Sequence, residues 1–337
     1  MIAGERGAAL RACVALALAY LLVALGTIWL SRLPGNVATL WYANAMAAAV
    51  MLQQPVRHWA GLALAAAVGV VGANLAAGDA LAHALGFAVP NVAETLLAAG
   101  LLHQAGLASS SLRSAVDMLK LLALGSLAAP VVGATLAASL MAEPLGVSFE
   151  RLWVQWFNGS SVGAMGMLPL ASLGLRRNHD TWQRKPANGR SGLVLLLLAA
   201  PALALLSLAH LPYPFVVIGL MPLLAAVWLE PLAVAAVGFG VSLAGAVAIA
   251  TGVFVPRPFT RELEEALVYL SFSAALLPPL VLAGAMAAMR DSRDRLLARE
   301  RELDHANRGL EQFVRMVSHD LREPLNTITQ FGRLVDE

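Results

Sequence analysis

Residues 12–30 form a run of 19 without a charged side chain, and runs like it recur as far as Met289. A helix that crosses about 30 Å of hydrocarbon needs roughly 20 mainly apolar residues. Repeated runs of that length commit a chain to the bilayer as its solvent. The composition agrees: 59% of the residues are hydrophobic and 13% charged, against about 45–50% and 25% in soluble domains. The expected fold class is all-α, a polytopic α-helical membrane bundle of eight to ten spans followed by a cytoplasmic helix or coiled coil.

By the length rule the spans fall near 12–30, 37–53, 59–77, 81–102, 116–140, 153–173, 192–209, 213–229, 232–250 and 266–289. The second, between Pro34 and Pro55, is the shortest, and a re-entrant segment stays open as its alternative. The eighth is interrupted by Pro222, which leaves a broken span open. The first follows Arg6 and Arg11 as a signal peptide's core would. It exceeds the roughly 7–15 residues of such a core, however, and ends in "WLSRLPGN" without a small-x-small cleavage site. It reads as an uncleaved first span. Cys13, the single cysteine, lies inside it and reads as inert packing. One cysteine forms no intrachain disulfide, and no Cys/His cluster has metal-ligand spacing.

Charge in the connections orients the bundle. With the N-terminus cytoplasmic, the inside loops hold Arg6 and Arg11, Arg57, Arg113 and Lys120, and the segment "RRNHDTWQRKPANGR". The tail from Arg290 then falls inside as well. The outside loops hold Arg32, Asp79, Glu143, Glu150 and Arg151, and the glutamate-rich "VPRPFTRELEE". Lysine and arginine concentrate on the cytoplasmic side of membrane proteins, so an even number of spans is expected. Both termini are then cytoplasmic. A net charge of +2 gives no electrostatic support for nucleic-acid binding.

Polar groups inside spans are costly in lipid and draw attention for that reason. Asn91 and Glu94, in "VPNVAETLLAAGLL", are three apart and share a helix face. Glu94 is the deepest carboxylate of the chain. Asn36 and Asn44 bracket "GNVATLWYANAM", and Asn158 follows Trp153 and Trp156 in "WVQWFNGSSVGAMGMLPL". The asparagines read as partners across helices, and the tryptophans as markers of the membrane interface. For Glu94 two readings stay open: a structural hydrogen-bond partner, or a ligand- or proton-sensing group, with Asn91 beside it.

The succession "LWYANAMAAAVML", "NVAETLLAAGLL" and "WFNGSSVGAMGMLPL" resembles the MASE1 family of bacterial membrane sensor domains. The resemblance covers residues 12–289 and implies an integral membrane sensor domain there. At the second span Trp41 is followed by Tyr42 and Ala43, where that family usually carries a tryptophan- and proline-rich phrase.

The composition changes at Arg290. The last 48 residues hold nine basic and ten acidic side chains, which sets residues 290–312 apart as a signalling linker. From 286 to 323 there is no proline and one glycine, Gly309, which favours a long helix. Leu296, Leu303, Leu310 and Val317 recur every seven residues, as one seam of a coiled coil requires. Glu300, Asn307, Val314 and Leu321 occupy the companion positions. Asn307 there is a register-setting device, and Glu300 makes the coil a weak one. A solvated single helix is the alternative.

Within residues 313–337, His319 and Asp320 pair an imidazole with an adjacent carboxylate. Imidazole titrates near neutrality and is nucleophilic when one ring nitrogen is free. Phe313, Val314, Val317, Leu321 and Leu325 are expected to face a helical core and leave His319 outward, with Pro324 bending the helix just beyond. The string "FVRMVSHDLREPL" closely resembles the phospho-acceptor helix of bacterial sensor histidine kinases. The resemblance implies that His319 accepts the γ-phosphoryl group of ATP and that Asp320 assists. Glu323 stands where that family often has the Thr or Asn that helps dephosphorylate the response regulator. No glycine-rich or asparagine-bearing ATP-binding box occurs in the chain.

The expected function is that of a membrane sensor histidine kinase in a two-component phosphorelay, dimeric through its tail helix and passing phosphate to a response-regulator aspartate. The expected chain is a truncated one, with ATP and magnesium used by a missing downstream domain and no cofactor of its own. Two alternatives stand beside it. One is a polytopic transporter or channel with a regulatory tail, supported by Glu94 and the many spans. The other is a non-catalytic membrane receptor subunit.

Overall fold

The computed structural model describes residues 2–31, 38, 40–176, 189–254 and 262–335. Its regular structure is helical, with no strand among the described residues. The expected all-α polytopic membrane bundle is therefore the observed one. Asn36 and most of the basic segment that opens at Arg176 lie outside the described residues.

The helices, in chain order, are α1 (Ile2–Ser31), α2 (Ala43–Leu52), α3 (Trp59–Ala76), α4 (Leu81–Gln104), α5 (Ala115–Lys120), α6 (Ala129–Leu145) and α7 (Phe149–Gly174). They continue as α8 (Gly189–His210), α9 (Pro214–Ile218), α10 (Leu220–Trp228), α11 (Pro231–Ala250) and α12 (Glu262–Val335). Seven helical stretches of the described chain are long and apolar enough to cross a membrane, the first being Gly7–Ser31; this is fewer than the eight to ten expected, and not the even number expected. Their outward residues are apolar, such as Leu18, Leu64, Leu85 and Leu198. Apolar residues are expected there, because lipid rather than water meets them.

Three segments depart from simple spans. The expected second span contracts to the 10 residues of α2, which at about 1.5 Å per residue reach roughly half of a bilayer. Eight of those residues are buried, so α2 is a core element and not a lipid-facing one. The segment near 213–229 is broken as expected, but at Gly219, between α9 and α10. Pro222 instead sits in the first turn of α10, where a missing N–H costs nothing. Between α5 and α6 the helix widens into a π turn, Leu121–Ala128. It ends just before Pro130, which has no N–H to offer the carbonyl four residues back.

Serine caps start two of the helices. Ser114 accepts from the Asp117 amide at 3.0 Å at the head of α5, and Ser148 from the Arg151 amide at 3.2 Å at the head of α7. Each satisfies a backbone donor that the first helical turn leaves over. The helices then pack through small residues. A side-chain carbon on Gly69 of α3 would come within 2.8 Å of Tyr20 Cβ on α1, so only glycine permits that approach. Close packing of this kind holds helices together where lipid removes the hydrophobic driving force.

The chain forms two compact units, Met1–Ala287 and Ala288–Glu337. The second is the continuation of α12. Its seam residues Leu296, Leu303 and Leu310 are each at least 60% exposed.

Candidate functional site

The polar residues of the first unit converge on α4 and α7. Pro90 interrupts the hydrogen bonding of α4, and Asn91 follows it, 2% exposed. The Asn91 Nδ2 donates to the Phe87 carbonyl at 2.8 Å. Because a carbonyl accepts only, the side-chain atom beside it is the amide nitrogen, and the orientation of the amide is fixed. Its Oδ1 is left without a hydrogen-bond partner. One turn on, Glu94 is 3% exposed and receives two donors from α7 on one oxygen. Trp156 Nε1 donates to Oε2 at 3.3 Å and Ser160 Oγ at 3.2 Å. No Lys or Arg among the described residues pairs with it.

A second cluster adjoins the first. Asn44, near the start of α2, accepts from the Tyr20 hydroxyl at 2.5 Å and from Trp41 Nε1 at 3.1 Å. Both bonds fall on Oδ1, since an indole N–H donates only. Asn44 is near enough to Glu94 to interact with it, although its Nδ2 completes no hydrogen bond. Tyr20 and Asn44 thus join α1 to α2, and Glu94, Trp156 and Ser160 join α4 to α7, through polar side chains.

Two glycines allow the approach. Gly133 of α6 lies directly against the Glu94 carboxyl, and Gly163 of α7 against the Trp41 backbone. The Trp41 amide donates to the Gly159 carbonyl at 3.1 Å. Gly159 and Gly163 are four apart, on one face of α7, the spacing that lets backbones meet in a membrane.

A cavity opens between these elements, walled by Trp41, Asn74, Phe87, Asn91, Trp156 and Ser160. Its water-accessible volume is about 30 Å³, above the roughly 10–15 Å³ that one water needs. Phe87 and Trp156 stack with their ring centres 6.1 Å apart. The wall is thus largely apolar, with a few polar atoms placed on it. Among the described residues, no three His, Cys, Asp or Glu side chains cluster as metal ligands would.

Residues 10–290 match the MASE1 family. The chain belongs to that family. MASE1 is a multi-span membrane sensor domain of signalling proteins, and the polar cluster with its cavity lies wholly within the matched region. Comparison with curated proteins and with solved structures finds no match.

In this MASE1 domain the structure brings Asn91 and Glu94 to one buried face, with Asn44 beside them. The interface reading of Trp156 gives way: it is 6% exposed and donates to Glu94. Trp153, on the same helix, donates to Thr135 Oγ1 at 3.0 Å. The partners of Glu94 were not visible from spacing. A serine or tryptophan in an apolar run signals little, and the glycine opposite a carboxyl signals nothing until the helices are packed. Asn74 lies in the apolar run "GANLAAG", where a lone amide was the available cue.

His319 lies in the second unit, on α12, and is exposed. The side chain of Asp320 lies outside those described. The core expected around Phe313, Val314, Val317 and Leu325 is not formed within one chain, because all four are exposed; the Leu321 side chain lies outside those described.

Proposed function

We propose that the chain is the sensing and phospho-accepting part of a sensor histidine kinase. A MASE1 domain receives a stimulus, and α12 carries the response to His319. One observation supports this most: the helix that contains the last membrane-length stretch runs on, unbroken, to the histidine of "FVRMVSHDLREPL". In this reading a ring nitrogen of His319 attacks the γ-phosphorus of ATP held by a kinase ATP-binding domain, and ADP leaves. Asp320 assists by holding the imidazole proton. A response-regulator aspartate then takes the phosphoryl group, and neutral histidine is restored.

The exposed seam Leu296, Leu303, Leu310 and Val317 supports a homodimer through the tail. An apolar stripe at heptad spacing is buried by a second copy in parallel coiled coils. The charge pattern of the loops supports cytoplasmic N- and C-termini in a bacterial inner membrane. For sensing to work, the stimulus must bind two arrangements of the bundle with different affinities.

The deciding experiment incubates the purified chain with an isolated kinase ATP-binding domain and radiolabelled ATP, beside a His319→Gln control. Acid-labile, base-stable label that is absent from the control is the expected result. Absence of label, also when a kinase ATP-binding domain is fused in frame after Glu337, overturns the kinase reading.

A further inference from the structure

The hydrogen bonds of the cavity wall define what it can hold. Five side chains on that wall carry N–H or O–H donors, and each makes a bond elsewhere, with one N–H of each asparagine amide left over. Asn91 Nδ2 bonds the Phe87 carbonyl, and Asn74 Nδ2 bonds the Val70 carbonyl at 2.8 Å. Trp41 Nε1 bonds Asn44, while Trp156 Nε1 and Ser160 Oγ bond Glu94. Beyond those bonds the wall offers acceptor oxygens, the second N–H of each amide and aromatic rings. Asn91 Oδ1 is buried and unpartnered, and Asn74 Oδ1 is fixed as an acceptor by the same amide logic.

An anion finds no cationic side chain on such a wall. A purely apolar guest leaves Asn91 Oδ1 buried and unsatisfied. A guest that donates hydrogen bonds satisfies it. Positive charge is favoured further by two features. Trp41, Phe87 and Trp156 line the cavity, and cations are attracted to electron-rich aromatic rings. Glu94 stands one hydrogen bond behind the wall, held by Trp156 and Ser160, without an ion-pair partner among the described residues. The small volume sets the size, about one or two heavy atoms.

We propose that this cavity binds a small hydrogen-bond-donating cation of the ammonium and methylammonium class. The proposal deepens the sensor reading. It rests on that reading for what occupancy signals, and on the wall chemistry alone for binding.

The test uses the full chain in lipid nanodiscs, titrated with methylammonium chloride while tryptophan fluorescence and heat are recorded. The expected result is saturable binding that sodium chloride and the larger tetramethylammonium do not reproduce. Asn91→Leu is expected to weaken it at least about tenfold, the loss of one hydrogen bond to a charged group. Asn74→Leu is expected to weaken it in the same direction, and serves if the first variant does not fold by gel filtration. Absence of saturable binding overturns the proposal, as does unchanged affinity in a folded variant. Equal binding of neutral formamide overturns the cationic class. Phosphoryl acceptance by His319 is read separately. Label on His319 without methylammonium binding removes this proposal alone. Binding that never alters labelling removes the sensor coupling and keeps the site.

Discussion

Glu94 on α4 lies so close to Gly133 on α6 that a methyl group at position 133 would overlap the carboxyl oxygen Oε2. That same oxygen accepts from Trp156 and Ser160 on α7. The carboxyl is therefore held between two helices, by contact on one side and hydrogen bonds on the other. Either side can be altered by itself.

Gly133→Ala tests the contact. The added carbon must push Glu94 or separate α4 from α6, and overpacking of this kind costs about 1–3 kcal/mol. Thermal unfolding in detergent should show that loss, with Ala134→Gly as a nearby control on the same helix. An unchanged midpoint for Gly133→Ala would show that the carboxyl moves aside freely.

Glu94→Gln and Glu94→Leu separate shape from hydrogen bonding. Glutamine keeps a carbonyl oxygen for Trp156 and Ser160. Leucine leaves both donors buried and unpaired. Interhelical hydrogen bonds in membranes are worth roughly 0.6 kcal/mol each and up to about 1.7. The leucine variant should therefore lose more stability than the glutamine variant, by about 1–3 kcal/mol. Equal losses would mean that these two bonds contribute nothing net.

Gly163→Val probes the second close approach. Gly163 faces the backbone of Trp41, which cannot rotate away as a side chain can. The segment ahead of α2 must then lift from α7, breaking the Trp41 to Gly159 hydrogen bond. Protection of the Trp41 amide against hydrogen exchange is expected to fall sharply. Retained protection would place the flexibility in α7 instead.

Arg113 and Glu230 pair at 2.5 Å, with side chains 13% and 21% exposed. Glu230 immediately precedes α11, where a negative charge also suits the helix N-terminus. A double-mutant cycle to alanine should give a coupling above the roughly 0.2–1 kcal/mol of exposed pairs. Removal of one partner alone should cost less than the roughly 3–5 kcal/mol of a fully buried pair. A coupling near zero would make the pair incidental.

The helices were legible before any packing was known, because run length and turn chemistry are local. The run 12–30 lies inside α1, 59–77 became α3, and 232–250 became α11. The break near 213–229 was visible too, though placed at Pro222 and not at Gly219. There packing adds a constraint that proline placement does not show: Gly219 lies against the backbone of Ala275 of α12. The brevity of α2 was hinted at by its flanking prolines. Its burial was not, since an alanine-rich segment suits lipid and protein equally.

Sequence alone determined that the chain is a membrane bundle with a charged helical tail, and that Asn91 and Glu94 share a face. These follow from hydropathy and the helical repeat, which each segment carries by itself. Only the tertiary structure decided what Glu94 meets. Its donors come from residues 62 and 66 positions away, and the glycine against it from another helix again. Hydrogen bonds between helices depend on the rotation and depth of each one, and those are set jointly by all the helices packed together.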